Sequence, residues 1–232
     1  MAAVAAELIM SESPPQADPL LDALWEKGLI LFGERVQQEY GLHTPIFIDL
    51  RHKLYDDLEL LTQLGAALHR RLRPIVQAES ATRPQQVIGI PDTATPIALS
   101  VALQSHRTDF PVFYGQMRKK PAEYPGGASG LSSYMGTCDK RREITLIDDV
   151  MASGRTKVWA ISELRKDGLD VKRVLVVVDR EQGANHVVED LGCPVYHLYR
   201  ASSLIEYYEA AGKIDAATAA AALAHVRAKQ FG

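Results

Sequence analysis

Cysteine is scarce: Cys138 and Cys193 are the only two in 232 residues. Two thiols make neither a disulfide framework nor a zinc set, and they fit a reducing compartment. An excess of positive charge is also lacking, since 26 Lys and Arg stand against 29 Asp and Glu for a formal net charge of −3. A general nucleic-acid binder needs a basic face, so any phosphate chemistry here must be local. No apolar run approaches the ~20 residues of a membrane span. The opening MAAVAAELIMSESPPQADP has a short apolar stretch, but no basic segment precedes it and Glu7 interrupts it. It reads as a loose tail over residues 1–18, not a signal peptide. These absences leave a soluble cytosolic protein with one well-buried core and no nucleic-acid or membrane partner.

Strand and helix patterns then alternate. Asp18-Pro19 opens a helix, with Leu20, Leu21, Leu24 and Trp25 at helical spacing. PIFIDL (45–50) alternates like a strand, and residues 57–72 carry Leu58, Leu60, Leu61, Leu64 and Leu68 on one helical side. Strands are predicted at VIGI (87–90), FPVFY (110–114), ITLID (144–148), VLVVV (174–178) and PVYHLY (194–199). A helix from about Lys157 to Lys166 stops at Asp167-Gly168, ANHVVEDLG forms a short one, and two more close the chain. The pattern predicts an α/β fold: a mostly parallel central sheet with helices on both faces, in a single domain over 19–232. Ligands of such sheets bind beyond the carboxyl ends of the strands. PDTATP, the loop after FPVFY, DDVMASGRT and DREQG all lie at such ends.

ITLIDDVMASGRT (144–156) holds the sharpest chemical puzzle. Ala152, Ser153, Gly154, Arg155 and Thr156 lie between a strand and a helix, where N–H groups and hydroxyls can hold a phosphate. Asp148 and Asp149 would repel a bare phosphate. They could accept hydrogen bonds from two sugar hydroxyls or hold a divalent cation. A sugar phosphate with vicinal hydroxyls reconciles the two features, while the plainer reading is a helix start beside a solvated acid pair. Arg180 in DREQG offers a planar fork suited to a carboxylate or a pyrimidine carbonyl edge. Its plainer reading is a surface pair with Asp179 or Glu181. PDTATP has a plain reading too, as a turn opening a helix with Thr93 or Thr95 as cap.

The stretch 144–156 resembles the ribose-phosphate motif of type I phosphoribosyltransferases. FGERVQQEYGLHTPIFIDLR (32–51), GIPDTATPIA (89–98), MRKKPAEYPG (117–126) and VVVDREQG (176–183) are similar, in order, to four segments of the orotate phosphoribosyltransferase family, including the domain found in UMP synthases. The resemblance covers nearly everything after about residue 20. It implies the type I phosphoribosyltransferase fold, with a small N-terminal hood (about 19–55), a core (about 57–200) and C-terminal helices (202–230). It also implies transfer of phosphoribosyl from phosphoribosyl pyrophosphate (PRPP) to orotate with Mg2+, giving orotidine 5′-phosphate and pyrophosphate in pyrimidine biosynthesis.

The resemblance assigns roles as well. Asp148 and Asp149 would bind the ribose hydroxyls, with Mg2+ held through PRPP and these acids. Ala152, Ser153, Gly154, Arg155 and Thr156 would hold the 5′-phosphate. Arg180 and Phe47 would contact the base, and PDTATP would be the pyrophosphate loop. The 117–130 loop, with Arg118, Lys119 and Lys120, would reach the neighbouring active site of a homodimer. An orotidylate decarboxylase is expected on a separate chain.

The sequence departs from the family at several positions. Ala152 stands where threonine is usual and Arg155 where glycine or serine is. Arg118, Lys119 and Tyr124 match the family loop, but its main catalytic lysine falls on Ala122, which leaves Lys120 as the substitute. Glu39 replaces a lysine that helps hold pyrophosphate, and Asp92 replaces a tyrosine. Losing one positioned donor to a developing anion costs ~10²–10³ in rate. The alternatives are therefore a catalytically impaired module that binds a nucleotide or a partner, or an enzyme acting on another base.

Overall fold

Apolar runs that show no alternation must be covered on two sides, and Val174 to Val178 is such a run. In the computed structural model, which describes residues 17–118, 133–137 and 139–228, these residues lie in an inner strand of a six-stranded sheet. The strands are β3 (Gln85–Gly89), β4 (Phe113–Met117), β5 (Tyr134–Met135), β6 (Glu143–Met151), β7 (Asp170–Asp179) and β8 (Val195–Arg200), in spatial order β5-β4-β3-β6-β7-β8. All neighbouring pairs are parallel except β4 with β5, which is antiparallel.

Successive residues of these strands feed opposite faces. Val87, Ile147, Leu175 and Val177 join a core with α3 (Leu58–Ala78), α4 (Ala94–Ser105), α7 (Ala201–Ala210) and α8 (Ala216–Ala228). Ile88, Leu146, Val174 and Val176 join a second core with α5 (Arg155–Lys166) and α6 (His186–Glu189). This is the α/β architecture expected of the sequence.

A smaller unit precedes the sheet. α1 (Pro19–Glu26) is capped by the Asp18 carboxylate, which accepts from the N–H groups of Leu20 (2.9 Å) and Leu21 (3.3 Å). β1 (Ile30–Phe32) and β2 (Ile46–Ile48) form an antiparallel pair separated by α2 (Glu34–Tyr40). Trp25 packs against Phe32 and Tyr208, and the Tyr208 hydroxyl donates to the Leu21 carbonyl at 2.8 Å. Those contacts fasten the small unit to α7.

Two elements differ from expectation. The predicted strand 110–114 lies at 113–117: His69 meets the Phe110 carbonyl at 2.8 Å, and the Val112 N–H donates to Ser105 Oγ at 3.0 Å, which ties 110–112 into a turn. The helix predicted over 57–72 runs on to Ala78 through Pro74. Proline removes one helical hydrogen bond, and burial of Leu72, Ile75 and Val76 on both sides of it offsets that loss.

Candidate functional site

Backbone hydrogen bonds lace the carboxyl ends of β3, β6 and β7 together. The Ile90 N–H donates to the Ile147 carbonyl (2.9 Å), and the Arg180 N–H to the Met151 carbonyl (3.0 Å). The turns after these strands therefore form one rim. Two glycines let the helices approach it closely. A Cβ on Gly89 would lie 2.1 Å from the Ala94 carbonyl oxygen, and one on Gly154 would lie 2.7 Å from Val187 Cγ2. Gly154 also sits at φ +71°, where L side chains are strained.

Gly154 is the N-cap of α5 and brings no side chain to it. The N–H groups of Arg155 and Thr156 in the first turn therefore point out of the helix end, where the helix dipole favours an anion. Ala152 and Ser153 are half-buried, and the Arg155 and Thr156 side chains are exposed at the same mouth. All five residues of the predicted phosphate turn thus lie where β6 passes into α5. Thr93, at the head of α4, makes no capping hydrogen bond through its side chain. PDTATP is thus a turn opening a helix, as its plain reading has it, with Thr93 in the cap position but no side-chain bond there.

The acid pair is asymmetric. Asp148 faces inward, and its carboxylate meets Lys157 Nζ at 2.5 Å with both side chains almost wholly buried. Lys157 also donates to the Val150 carbonyl at 2.5 Å. Burial pushes the Asp148 carboxyl up from its ordinary value, the Lys157 charge opposes this, and the Asp149 charge adds to it. Asp149 is almost as buried as Asp148, with 11% of its side chain exposed. Its Oδ1 accepts from the Val150 N–H (2.8 Å), and its Oδ2 lies 3.7 Å from Arg51 Nε.

Arg51 comes from the small N-terminal unit and is held in place by Asp49. The buried Asp49 carboxylate accepts from the Arg51 N–H (2.8 Å) and the Tyr40 hydroxyl (2.7 Å), and meets His52 Nδ1 at 2.7 Å. Burial alone would raise the Asp49 carboxyl. Hydrogen bonds from His52, Tyr40 and the Arg51 backbone outweigh it and hold the group below its usual range. Burial and then the bond to Asp49 push the Tyr40 phenol up to about 12. Farther along, the Tyr55 hydroxyl donates to the Thr93 carbonyl at 2.8 Å and pins the loop to the PDTATP turn.

Arg180 is half-buried at the end of β7, and burial lowers its pKa. The surface pairs weighed for it are not made. Asp179 accepts from the Glu181 N–H (2.8 Å) and Asn185 Nδ2 (2.8 Å), while Glu181 accepts from the Ser202 N–H (2.7 Å). Phe47 lies half-buried in β2 against Tyr40, with ring centroids 4.7 Å apart. Arg118 follows β4 and donates its N–H to the Ser133 carbonyl at 2.8 Å. Lys119, Lys120, Ala122 and Tyr124 lie outside the described residues.

Glu39 does not stand as a bare negative charge. Lys53 Nζ meets its carboxylate at 2.6 Å and Arg35 lies at 3.7 Å, so the local balance is positive. Asp92 is exposed beside the turn.

Arg51, Asp49 and Lys157 were not singled out in the sequence. Lys157 had a readable signal: it shares the buried stripe of α5 with Ala160, Ile161 and Leu164, at spacings of three, four and seven. A lysine on an apolar stripe needs a buried partner. Arg51 depends on a contact between distant segments, and only the basic run after IFIDL hinted at it.

No protein-family model matches the chain. An orotate phosphoribosyltransferase of Thermococcus gammatolerans is 31% identical over 194 residues, covering 83% of this chain and 93% of that protein. One from Methanoculleus marisnigri is 28% identical over 189 residues, covering 82% of this chain and 98% of that protein. Among solved structures, the UMP synthase of Leishmania donovani superposes with a TM-score of 0.70 at 25% identity, over 90% of this chain and 42% of that one.

Proposed function

The chain belongs to the orotate phosphoribosyltransferase family, and we propose that the rim at the carboxyl ends of β3, β6 and β7 is where it transfers phosphoribosyl from PRPP to orotate. The bond from the anomeric carbon to pyrophosphate breaks, a bond from that carbon to orotate N1 forms, and the N1 proton leaves to solvent. Products are orotidine 5′-phosphate and pyrophosphate, in pyrimidine biosynthesis.

The observation that carries the reading is the join between the turn at 152–156 and Asp149, the acid of the pair without a close buried cation. The 5′-phosphate seats on residues 152–156, whose uncapped helix end supplies N–H donors. Asp149 then lies at the adjoining strand end, where it accepts from ribose hydroxyls and stabilises positive charge developing at the anomeric carbon. Asp148 acts through Lys157 and the backbone, fixing the strand end rather than touching the sugar. Arg180, without a carboxylate partner among the described residues, takes the orotate carboxylate or a carbonyl edge, and Phe47 covers the base.

Among the described residues no group of three or more His, Cys, Asp or Glu could hold a metal ion. With Asp148 engaged by Lys157, Asp149 is the acid of the pair without a close cation. That donor set fits Mg2+ carried in on pyrophosphate, since magnesium commonly binds through one or two carboxylates plus substrate phosphates. When bound, the ion would neutralise the leaving pyrophosphate. Asp149 is the residue that would face it.

In the same reading a second copy closes the site, bringing Arg118, Lys119 and Lys120 over pyrophosphate. Leu99 and Leu103, exposed one turn apart on α4, give apolar surface for such a homodimer. The balance at Glu39, restored by Lys53 and Arg35, removes one motive for the impaired module. No helix among the described residues is long and apolar enough to cross a membrane, and a cytoplasmic setting suits water-soluble substrates. A separate orotidylate decarboxylase would consume the product.

The test is loss of orotate absorbance with PRPP and Mg2+, on wild type and on Lys120→Ala. Turnover is expected from the wild type. If Lys120→Ala abolishes it, that lysine has replaced the one missing at Ala122. Absence of turnover in correctly folded wild type would sink the assignment.

A further inference from the structure

The two acids at the end of β6 each face one cation, and the two pairs differ in kind. Lys157 and Asp148 form a buried contact at 2.5 Å with side chains 4% and 7% exposed. Arg51 and Asp149 stand 3.7 Å apart, beyond hydrogen-bonding distance, and the Arg51 side chain is 69% exposed. The first pair is part of the interior. The second joins an exposed guanidinium to a carboxylate only 11% exposed, without a hydrogen bond.

The Arg51 backbone is nevertheless placed firmly. Its N–H is held by buried Asp49, which also anchors Tyr40 and His52. Four residues on, Tyr55 reaches across to the Thr93 carbonyl. A loop fastened at both ends thus carries a long, exposed cation to the carboxylate of the pair that lacks a close buried partner. A residue meant only to neutralise Asp149 would gain from a close bidentate contact, which arginine readily makes. The loose contact suits a side chain that changes partners.

We propose that Arg51 is a substrate-binding residue that exchanges partners on ligand entry. In the free protein it stands before Asp149. When sugar hydroxyls take Asp149, Arg51 is released toward the anionic part of the same substrate, the pyrophosphate of PRPP. The same guanidinium therefore opposes binding of a sugar phosphate that lacks pyrophosphate and favours binding of one that has it. This rests on the ribose site assigned to Asp149 above.

The exchange predicts effects of opposite sign, which simple electrostatic or structural roles do not give. Ribose 5-phosphate and PRPP are titrated, each with Mg2+, into wild type, Arg51→Ala and Arg51→Gln by calorimetry. Both variants should bind ribose 5-phosphate up to ~5-fold more tightly, because a surface ion-pair contact no longer competes. Both should bind PRPP ~10–100-fold more weakly, the loss expected for one charged hydrogen bond. Arg51→Lys should restore part of the PRPP affinity. Loss of affinity for both ligands alike, or no change in either, would overturn the exchange.

Since the Arg51 side chain is mostly exposed, the variants should melt with the wild type, and a melting curve checks that each is folded. Asp149→Ala separates the two levels of the argument. If it abolishes ribose 5-phosphate binding while the Arg51 variants shift both ligands the same way, only the exchange fails. If it leaves ribose 5-phosphate binding intact, the ribose site itself is misplaced.

Discussion

At the amino ends of β3, β6 and β7, Arg173 is 1% exposed and its guanidinium is saturated by Glu79 (2.5 Å), Glu143 (3.1 Å), Gln85 (2.8 Å) and Thr145 (3.2 Å). Arg83 closes the same cluster by pairing with Glu143 and Asp170. At the carboxyl ends of the same strands, Arg180 has no carboxylate partner among the described residues, and Arg51 stands off from Asp149 at 3.7 Å. The two ends use the same residue types. Saturation at one end makes charge a structural element, because a buried ion stripped of any partner is costly. Incomplete pairing at the other leaves donors and acceptors for a ligand to complete.

The largest effect should come from emptying the saturated end. Arg173→Met leaves Glu143 with Arg83 and Gln85 alone and takes away the cation paired with Glu79, a loss of up to ~3–5 kcal/mol for a broken buried pair. Urea unfolding should show it, with PRPP affinity of the folded fraction unchanged. A variant as stable as wild type would mean that the cluster is not the clamp its geometry describes.

At the open end the ordering reverses, and activity should fall where stability does not. Asp149→Asn should lower kcat/KM by ~10²–10³, the range for removing one group aimed at developing charge, with little change in melting temperature. Equal losses of activity and stability would erase the distinction between the ends.

A smaller effect follows from acid. Burial raises the carboxyls of Glu143 and Asp170. Hydrogen bonds from Gln85, Arg173 and Arg83 to the first, and Arg83 with the Lys172 charge at the second, outweigh it and hold both below their ordinary values. Folded values lower than unfolded ones stabilise the protein fully above the usual carboxylate range. That contribution fades as pH falls from ~4 through the folded values. The slope of stability against pH below 4 should flatten in Glu143→Gln. An unchanged slope would place the acid sensitivity elsewhere.

How much of this could be read from the sequence depended on how local the cause was. In ITLIDDVMASGRT the strand, the acids and the helix-opening turn were legible together because apolar run, charge and glycine are neighbours in the chain. α2 and β1 escaped notice because Val36 is the one buried residue of α2, and β1 is three residues long. At β4 the sequence FPVFY has the composition of a strand, yet side chains of His69 and Ser105 hold its first residues in a turn. Arg51 and Asp149, nearly a hundred positions apart, meet only through the docking of the small unit onto the sheet. The asymmetry of the acid pair was legible in part, since Lys157 on the apolar stripe of α5 announced a buried counter-charge without naming it.

Burial of Lys157 also decides how the site responds to salt. Mobile ions screen exposed charges over ~8 Å at physiological ionic strength, and buried pairs much less. The Lys157–Asp148 contact is out of their reach, so the turn at 152–156 should keep its shape from dilute buffer to strong brine. What salt can tune is the mouth, where Arg51 and the exposed side chain of Arg155 meet an arriving polyanion. The scaffold of the rim is thereby insulated from the ionic medium, and its exposed charges are left open to it.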